Sequence, residues 1–170
     1  MAFLEVKTEH FKETHRRSFL DRSYVCTKKV SFQTTLLFAP FEIKRADGVL
    51  LAKMYDNGLL EIYPEYAHDG PSGPTWDTYA FVYGSAPHDV IYQALRENLI
   101  LDPIKYQHCM ACMYDDFIDA RNEADKTMRY TNRKYGMCKT RAFYTYQAVA
   151  KFGEKHALPP ELKDYLKNYN

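Results

Sequence analysis

The first half of the chain places apolar residues with the period of a strand, and the second half places them with the period of a helix. Tyr24 to Leu37 is rich in Val, Thr, Phe and Tyr, with a polar break at Lys28-Lys29. Phe41 to Arg45 alternates, Ala46-Asp47-Gly48 offers a turn, and Val49 to Tyr55 reads as the next strand. Asp56-Asn57-Gly58 is the strongest local signal, because an Asn-Gly pair accepts the positive φ angles of a tight hairpin turn. Leu59 to Tyr63 completes that hairpin. Residues 1–23 are charged and weakly patterned, which suits an extended arm, a short helix or a strand packed on a partner.

Three prolines, Pro64, Pro71 and Pro74, with Gly70 and Gly73 between them, rule out regular structure from 64 to 74. Ser85 can cap a helix and Pro87 suits a first turn, so the pattern predicts a helix that begins just before His88. Ile91, Ala94, Leu95 and Leu99 give that helix a buried face, and Tyr92 lies one turn after His88. Asp102-Pro103 reads as the start of a second helix carrying Tyr106, Met110, Met113, Tyr114, Phe117 and Ile118, broken at Gly136. A third helix is expected from about Lys139 to Phe152, with Phe143, Tyr146, Val149 and Ala150 inward and Gly153 as its stop. Pro159-Pro160 opens a short last helix to about Tyr169.

Strands followed by helices predict an α+β fold: N-terminal antiparallel β-hairpins packed on a C-terminal bundle of three to four helices. The 170 residues suit a single domain, divided into an arm (1–23), a β-rich part (24–63), a loop (64–84) and a helical part (85–170). A net charge of +1 gives no field that would draw the chain to nucleic acid, so no nucleic-acid partner is expected. No stretch is apolar enough to span a membrane and no leader precedes the first charges, which places synthesis in a cytoplasm. The four cysteines, Cys26, Cys109, Cys112 and Cys138, are expected as reduced thiols.

Within this frame, His88-Asp89 is the pair that suggests chemistry. A neutral imidazole takes a proton from water near neutral pH when a carboxylate holds its other nitrogen. A neighbouring carboxylate can bind a hard cation, helped by an oxygen-rich loop. The chain offers His88 and Asp89, then Asp115 or Asp116 on the next helix as the orienting acid, and the loop around Asp69. The same pair also suits a plain helix start, where an early acid favours the macrodipole.

Two other patterns compete. Cys109-x-x-Cys112 could seed a zinc site with Cys138, although its place among Met and Ala in a helix reads as buried apolar thiols. His68, His88-Asp89 and Asp115 in order fit a loose H…HD…D phosphohydrolase pattern, against which the hairpins argue.

The order Asp69-Gly70-x-Ser72-x-Pro74, His88-Asp89-x-x-Tyr92, Asp115-Asp116 and Arg141-Ala142-Phe143-x-x-Tyr146-x-Ala148-Val149-x-x-Phe152-Gly153 resembles a family of unknown function common in bacteriophage genomes. The pattern is also similar to the catalytic helices of the prokaryotic secreted phospholipase A2 enzymes. This resemblance covers roughly residues 47–153. It implies His88 as the general base, Asp89 and Asp69 as calcium ligands, Asp115 or Asp116 as the acid that orients the imidazole, and Tyr92 as a supporting hydrogen-bond donor. It implies a phospholipid or cell-envelope substrate, with calcium as cofactor. The chain departs from those enzymes in the proline before the histidine, in its cysteine arrangement and in its β-rich start. The other expectation is a non-enzymatic virion component of a tail, connector or capsid, whose partners are other virion proteins or further copies of itself. Either reading allows incorporation in the virion.

Overall fold

The computed structural model describes residues 9–18, 21–34, 40–70 and 78–169. It is an α+β protein in which two antiparallel sheets precede the helices. β1 (Phe11–Ser18), β2 (Asp21–Cys26) and β7 (Ala67–His68) form a three-stranded sheet in the order β1-β2-β7. β3 (Val30–Gln33), β4 (Phe41–Lys44), β5 (Leu50–Met54) and β6 (Leu59–Ile62) form the other, in the order β3-β6-β5-β4. The charged start of the chain thus supplies a strand to the protein's own sheet, with Phe11 opposite Cys26 and Glu13 opposite Tyr24. Phe11 explains this: it is buried, and its ring meets Tyr83 and His68 edge-on.

Alternation decides which face of the four-stranded sheet goes inward. Val30, Phe32, Phe41, Ile43, Ala52, Met54, Leu60 and Ile62 are all buried in the core. The other face carries a polar ladder. Glu61 receives hydrogen bonds from Lys29 at 2.7 Å, Tyr63 at 2.6 Å and Tyr55 at 3.0 Å, and Lys53 donates to Glu42 at 2.8 Å. The two hairpin turns share one geometry. Gly48 N–H donates to Arg45 O and Gly58 N–H to Tyr55 O, with the glycines at φ 88° and 78°. Asp47 and Asn57 each accept the backbone N–H two residues on. The positive φ falls on Gly58 and not on Asn57, so the turn is a type I turn closed by a glycine bulge.

α1 (Tyr79–Arg96) is the centre of the fold, buried from Ala80 to Leu95 except at Asp89 and Gln93. It begins at Tyr79, well before Ser85, which corrects the expected start. The carbonyl of Thr78 already accepts from Phe81 and Val82, and Ser85 Oγ donates back to Val82 O instead of capping. Pro87 therefore lies inside the helix and leaves the Tyr83 carbonyl without its usual donor. Gly84 is interior for a packing reason: a Cβ there would stand 2.0 Å from Asn132 Oδ1 on the facing helix.

α2 (Met110–Lys134) packs along α1. Asp102-Pro103 makes a turn and not the helix start: Asp102 Oδ1 accepts Ile104 N–H, its carbonyl accepts Lys105 N–H, and Cys109 is the cap. Both long helices end in Schellman motifs, with Asn98 and Gly136 in the left-handed position. α3 (Lys139–Phe152) has the expected bounds, yet Phe143 is exposed and its buried residues are Ala142 and Thr145. α4 (Glu154–Ala157) and α5 (Pro160–Tyr169) follow, and Ala157, Leu158 and Leu162 return to the core. One cluster joins both sheets to α1, α2, α4 and α5. No helix among the described residues is long and apolar enough to cross a membrane.

Candidate functional site

Where α1 crosses α2, a stripe of Gly84, His88 and Tyr92 faces a stripe of Arg121, Asp125, Met128 and Asn132, at the helical spacing that keeps each set on one side. His88 is buried with both ring nitrogens beside carboxylates. Nε2 is 3.0 Å from Asp125 Oδ1 and Nδ1 is 3.0 Å from Asp89 Oδ1. Tyr92, one turn on, lays its ring over the imidazole at a centroid distance of 3.9 Å and donates its hydroxyl to the same Asp125 oxygen at 2.8 Å. Arg121, on the turn before Asp125, brings Nε to 3.8 Å from Asp125 Oδ2 and an amino group to 3.2 Å from Glu154. It also donates to Ala150 O, tying the junction of α3 and α4 to the site.

These contacts set the charges. Burial works against a charged imidazole, but the hydrogen bonds to Asp125 and Asp89 and their negative charge outweigh it, raising the His88 pKa to about 9. Burial likewise opposes charge on Asp89, yet His68 and His88 hold its carboxyl below the usual range. Burial and the Asp125 charge push the Tyr92 hydroxyl well up, so it stays a donor. The resting arrangement is an imidazolium between two carboxylates.

The three-stranded sheet adds a second histidine. β7 ends at His68, whose ring stacks beside Tyr24 and Tyr66. Its Nδ1 lies 3.4 Å from Asp89 Oδ2 and 3.2 Å from the Gly70 amide. One nitrogen cannot serve both neighbours: protonated it donates to Asp89, and with its lone pair free it accepts from Gly70. Asp89 Oδ2 is buried without a hydrogen-bond partner in the second case.

Of the residues singled out in the sequence, the structure brings together His88, Asp89 and Tyr92. Asp69 follows His68 directly and is exposed. The rest of its loop, 71–77, which includes Ser72 and Pro74, lies outside the described residues. Asp115 and Asp116 are not at His88. Both are exposed, and Asp116 accepts the Tyr106 hydroxyl at 2.5 Å. The acid facing the imidazole is Asp125, about three turns further along α2. Its sequence signal was available: Arg121 and Asp125 interrupt the buried stripe of Met113, Phe117, Ala124 and Met128, where a charge needs a partner.

The cysteines also differ from expectation. Cys109 and Cys112 are exposed and joined in a disulfide, while Cys26 and Cys138 are free. The 25 residues of α2 put Cys138 roughly 37 Å from the pair along the helix, too far to share a zinc ion. His68 stands at Asp89, but Asp115 does not, so the H…HD…D set is not assembled around one point. Among the described residues no group of three or more His, Cys, Asp or Glu side chains is placed to hold a metal ion.

No protein-family model matches this chain, and neither the curated proteins nor the solved structures compared with it contain a match.

Proposed function

We propose that this chain is a bacteriophage hydrolase of the phospholipase type, cleaving a carboxylic ester with His88 as general base. The observation that carries the reading is the shared Asp125 oxygen, which accepts from both His88 Nε2 and Tyr92. It fixes the ring so that the Nε2 proton stays with Asp125 and Nδ1 is the nitrogen able to work. Asp89 holds the Nδ1 proton at rest, so Asp89 must turn away and Nδ1 must release that proton to solvent before a water can reach its lone pair. The water then gives its proton to Nδ1 as its oxygen attacks the ester carbonyl, and the imidazolium returns that proton to the leaving alcohol.

Asp89 Oδ2 lacks a donor when His68 Nδ1 accepts from Gly70, and in that state Asp89 would be a ligand for a hard cation, with Asp69 on the adjoining loop as the second oxygen. Calcium, if held there, would supply a Lewis acid for the oxyanion.

The test is fatty-acid release from vesicles of mixed bacterial phospholipids, with calcium or with chelator, comparing wild type with His88→Gln. Release that requires calcium and falls about 10²–10⁴-fold in the variant is expected. A folded wild type that releases nothing ends the hydrolase reading.

The second reading is a structural virion component. It is favoured by α3, where Phe143, Tyr144 and Phe152 are 49%, 64% and 65% exposed at positions spread round the helix, apolar surface of the kind that self-assembly covers. Sedimentation that stays monomeric at every concentration, alone and with particle proteins, counts against it.

A further inference from the structure

α2 opens on Cys109-Met110-Ala111-Cys112, and nothing in the hydrolase reading uses it. Cys109 is the N-cap and Cys112 lies in the first turn, so the helix geometry brings the two sulfurs together without distorting the chain beyond it. Both residues are exposed. The bond spans a sequence separation of 3. Because the stabilisation from a cross-link grows with the length of the loop it closes, this bond constrains the unfolded chain as little as a disulfide can. It links no two elements of the fold. A bond that is exposed and staples nothing is poorly explained as structure.

The local geometry also separates the two sulfurs. The backbone N–H of Cys112 donates to Cys109 Sγ at 3.3 Å. Cys109 thus sits where the free amides and dipole of a 25-residue helix stabilise negative charge. Cys112 lies inside the helix, one turn before the acids Asp115 and Asp116. The helix N-terminus thus favours negative charge on the Cys109 sulfur over that of Cys112.

We infer that Cys109 and Cys112 are a reversible redox site that exchanges with accessible disulfides of proteins or small molecules, Cys109 being the entering sulfur and Cys112 the resolving one. In the reduced form the Cys109 thiolate attacks one sulfur of the partner disulfide, forms a mixed disulfide and releases the partner's first thiolate. Cys112 gives up its proton and attacks Cys109 Sγ, closing the internal bond and releasing the second partner thiolate. Both thiolates take protons. The pair loses two electrons and the partner's disulfide gains them. A monothiol such as glutathione reverses the sequence, two molecules becoming one oxidised dimer.

The experiment uses the full chain in a Cys138→Ser background, which removes the other exposed thiol. The protein is equilibrated in a series of reduced and oxidised glutathione ratios, quenched with an alkylating reagent and weighed intact. A single two-electron transition within the series is expected. A pair that stays bonded in wholly reduced glutathione, or open in wholly oxidised glutathione, overturns the inference. Single variants then assign the roles. With Cys112→Ser, Cys109 should capture one glutathione from its oxidised dimer at least about 10-fold faster than Cys112 does in Cys109→Ser. Equal or reversed rates overturn the assignment of the entering sulfur. Unchanged helical circular dichroism shows that each variant is folded.

Discussion

At the scale of single residues, the chemistry depends on what surrounds one imidazole. Asp125→Asn keeps the shape of the site but removes the charge that holds Nε2–H. If His88 is the base, hydrolysis falls about 10²–10⁴-fold while the fold persists, measured as kcat beside a melting curve. The raised His88 pKa gives two trends of opposite sign. With a folded value of about 9 against 6.5 unfolded, the charged pair stabilises the protein fully below pH 6.5 and is lost as pH climbs through 9. Base catalysis rises across the same window as the imidazole gives up its proton. Urea midpoints of wild type should fall from pH 6.5 to 9, and the His88→Gln midpoint should stay flat; parallel curves would remove His88 as the cause. Gly153 offers a purely steric test. A Cβ there would meet Tyr92 Oη at 2.5 Å and the Val149 carbonyl at 2.6 Å. Gly153→Ala should cost about 1–3 kcal/mol in a denaturant titration.

At the scale of elements, β3 to β6, α3 and the two hairpin turns were legible because their signals are local: alternation, Asn-Gly and Asp-Gly, and a glycine after the last periodic residue. The weak pattern of β1 leaves its structure open, and β7 corrects the expectation of no regular structure from 64 to 74, because Ala67 and His68 pair with Val25 and Tyr24 between the prolines. The start of α1 was not legible either. Pro87 and Ser85 point locally to a first turn, and tertiary packing overrides them, since Gly84 must lie against Asn132 and Tyr83 against Phe11 and Tyr135. Phe143 was misplaced because α3 buries small residues, Ala142 and Thr145, and turns its rings outward over Arg129. The site was half legible for a related reason. His88, Asp89 and Tyr92 share one helix and are read from spacing alone. Asp125 comes from the facing helix, and only the register between α1 and α2, set by the Gly84–Asn132 approach, selects it over Asp115 or Asp116.

At the scale of the molecule, Arg121 is the connection that makes the helical half one body. It is 5% exposed and meets Asp125, Glu154 and the Ala150 carbonyl, which belong to α2, α4 and α3. Arg121→Ala leaves Asp125 with His88 and Tyr92 alone, removes the tie to Glu154 and the Ala150 carbonyl, and should cost about 1–3 kcal/mol. The loss should be uneven. Amide exchange should quicken across α3, α4 and α5 while the four-stranded sheet, whose core contacts are apolar, keeps its protection. Uniform acceleration would mean that the sheet and helices unfold as one cooperative unit.

The imidazolium of His88 also makes the protein its own spectroscopic probe. Two ring N–H protons, each shielded from solvent and pointed at a different carboxylate, should give separate far-downfield proton resonances in place of the averaged, invisible signal of an exposed histidine. Any cation or ligand that draws Asp89 aside would erase the Nδ1–H line and leave the Nε2–H line standing. Occupancy of the site could then be followed without a substrate.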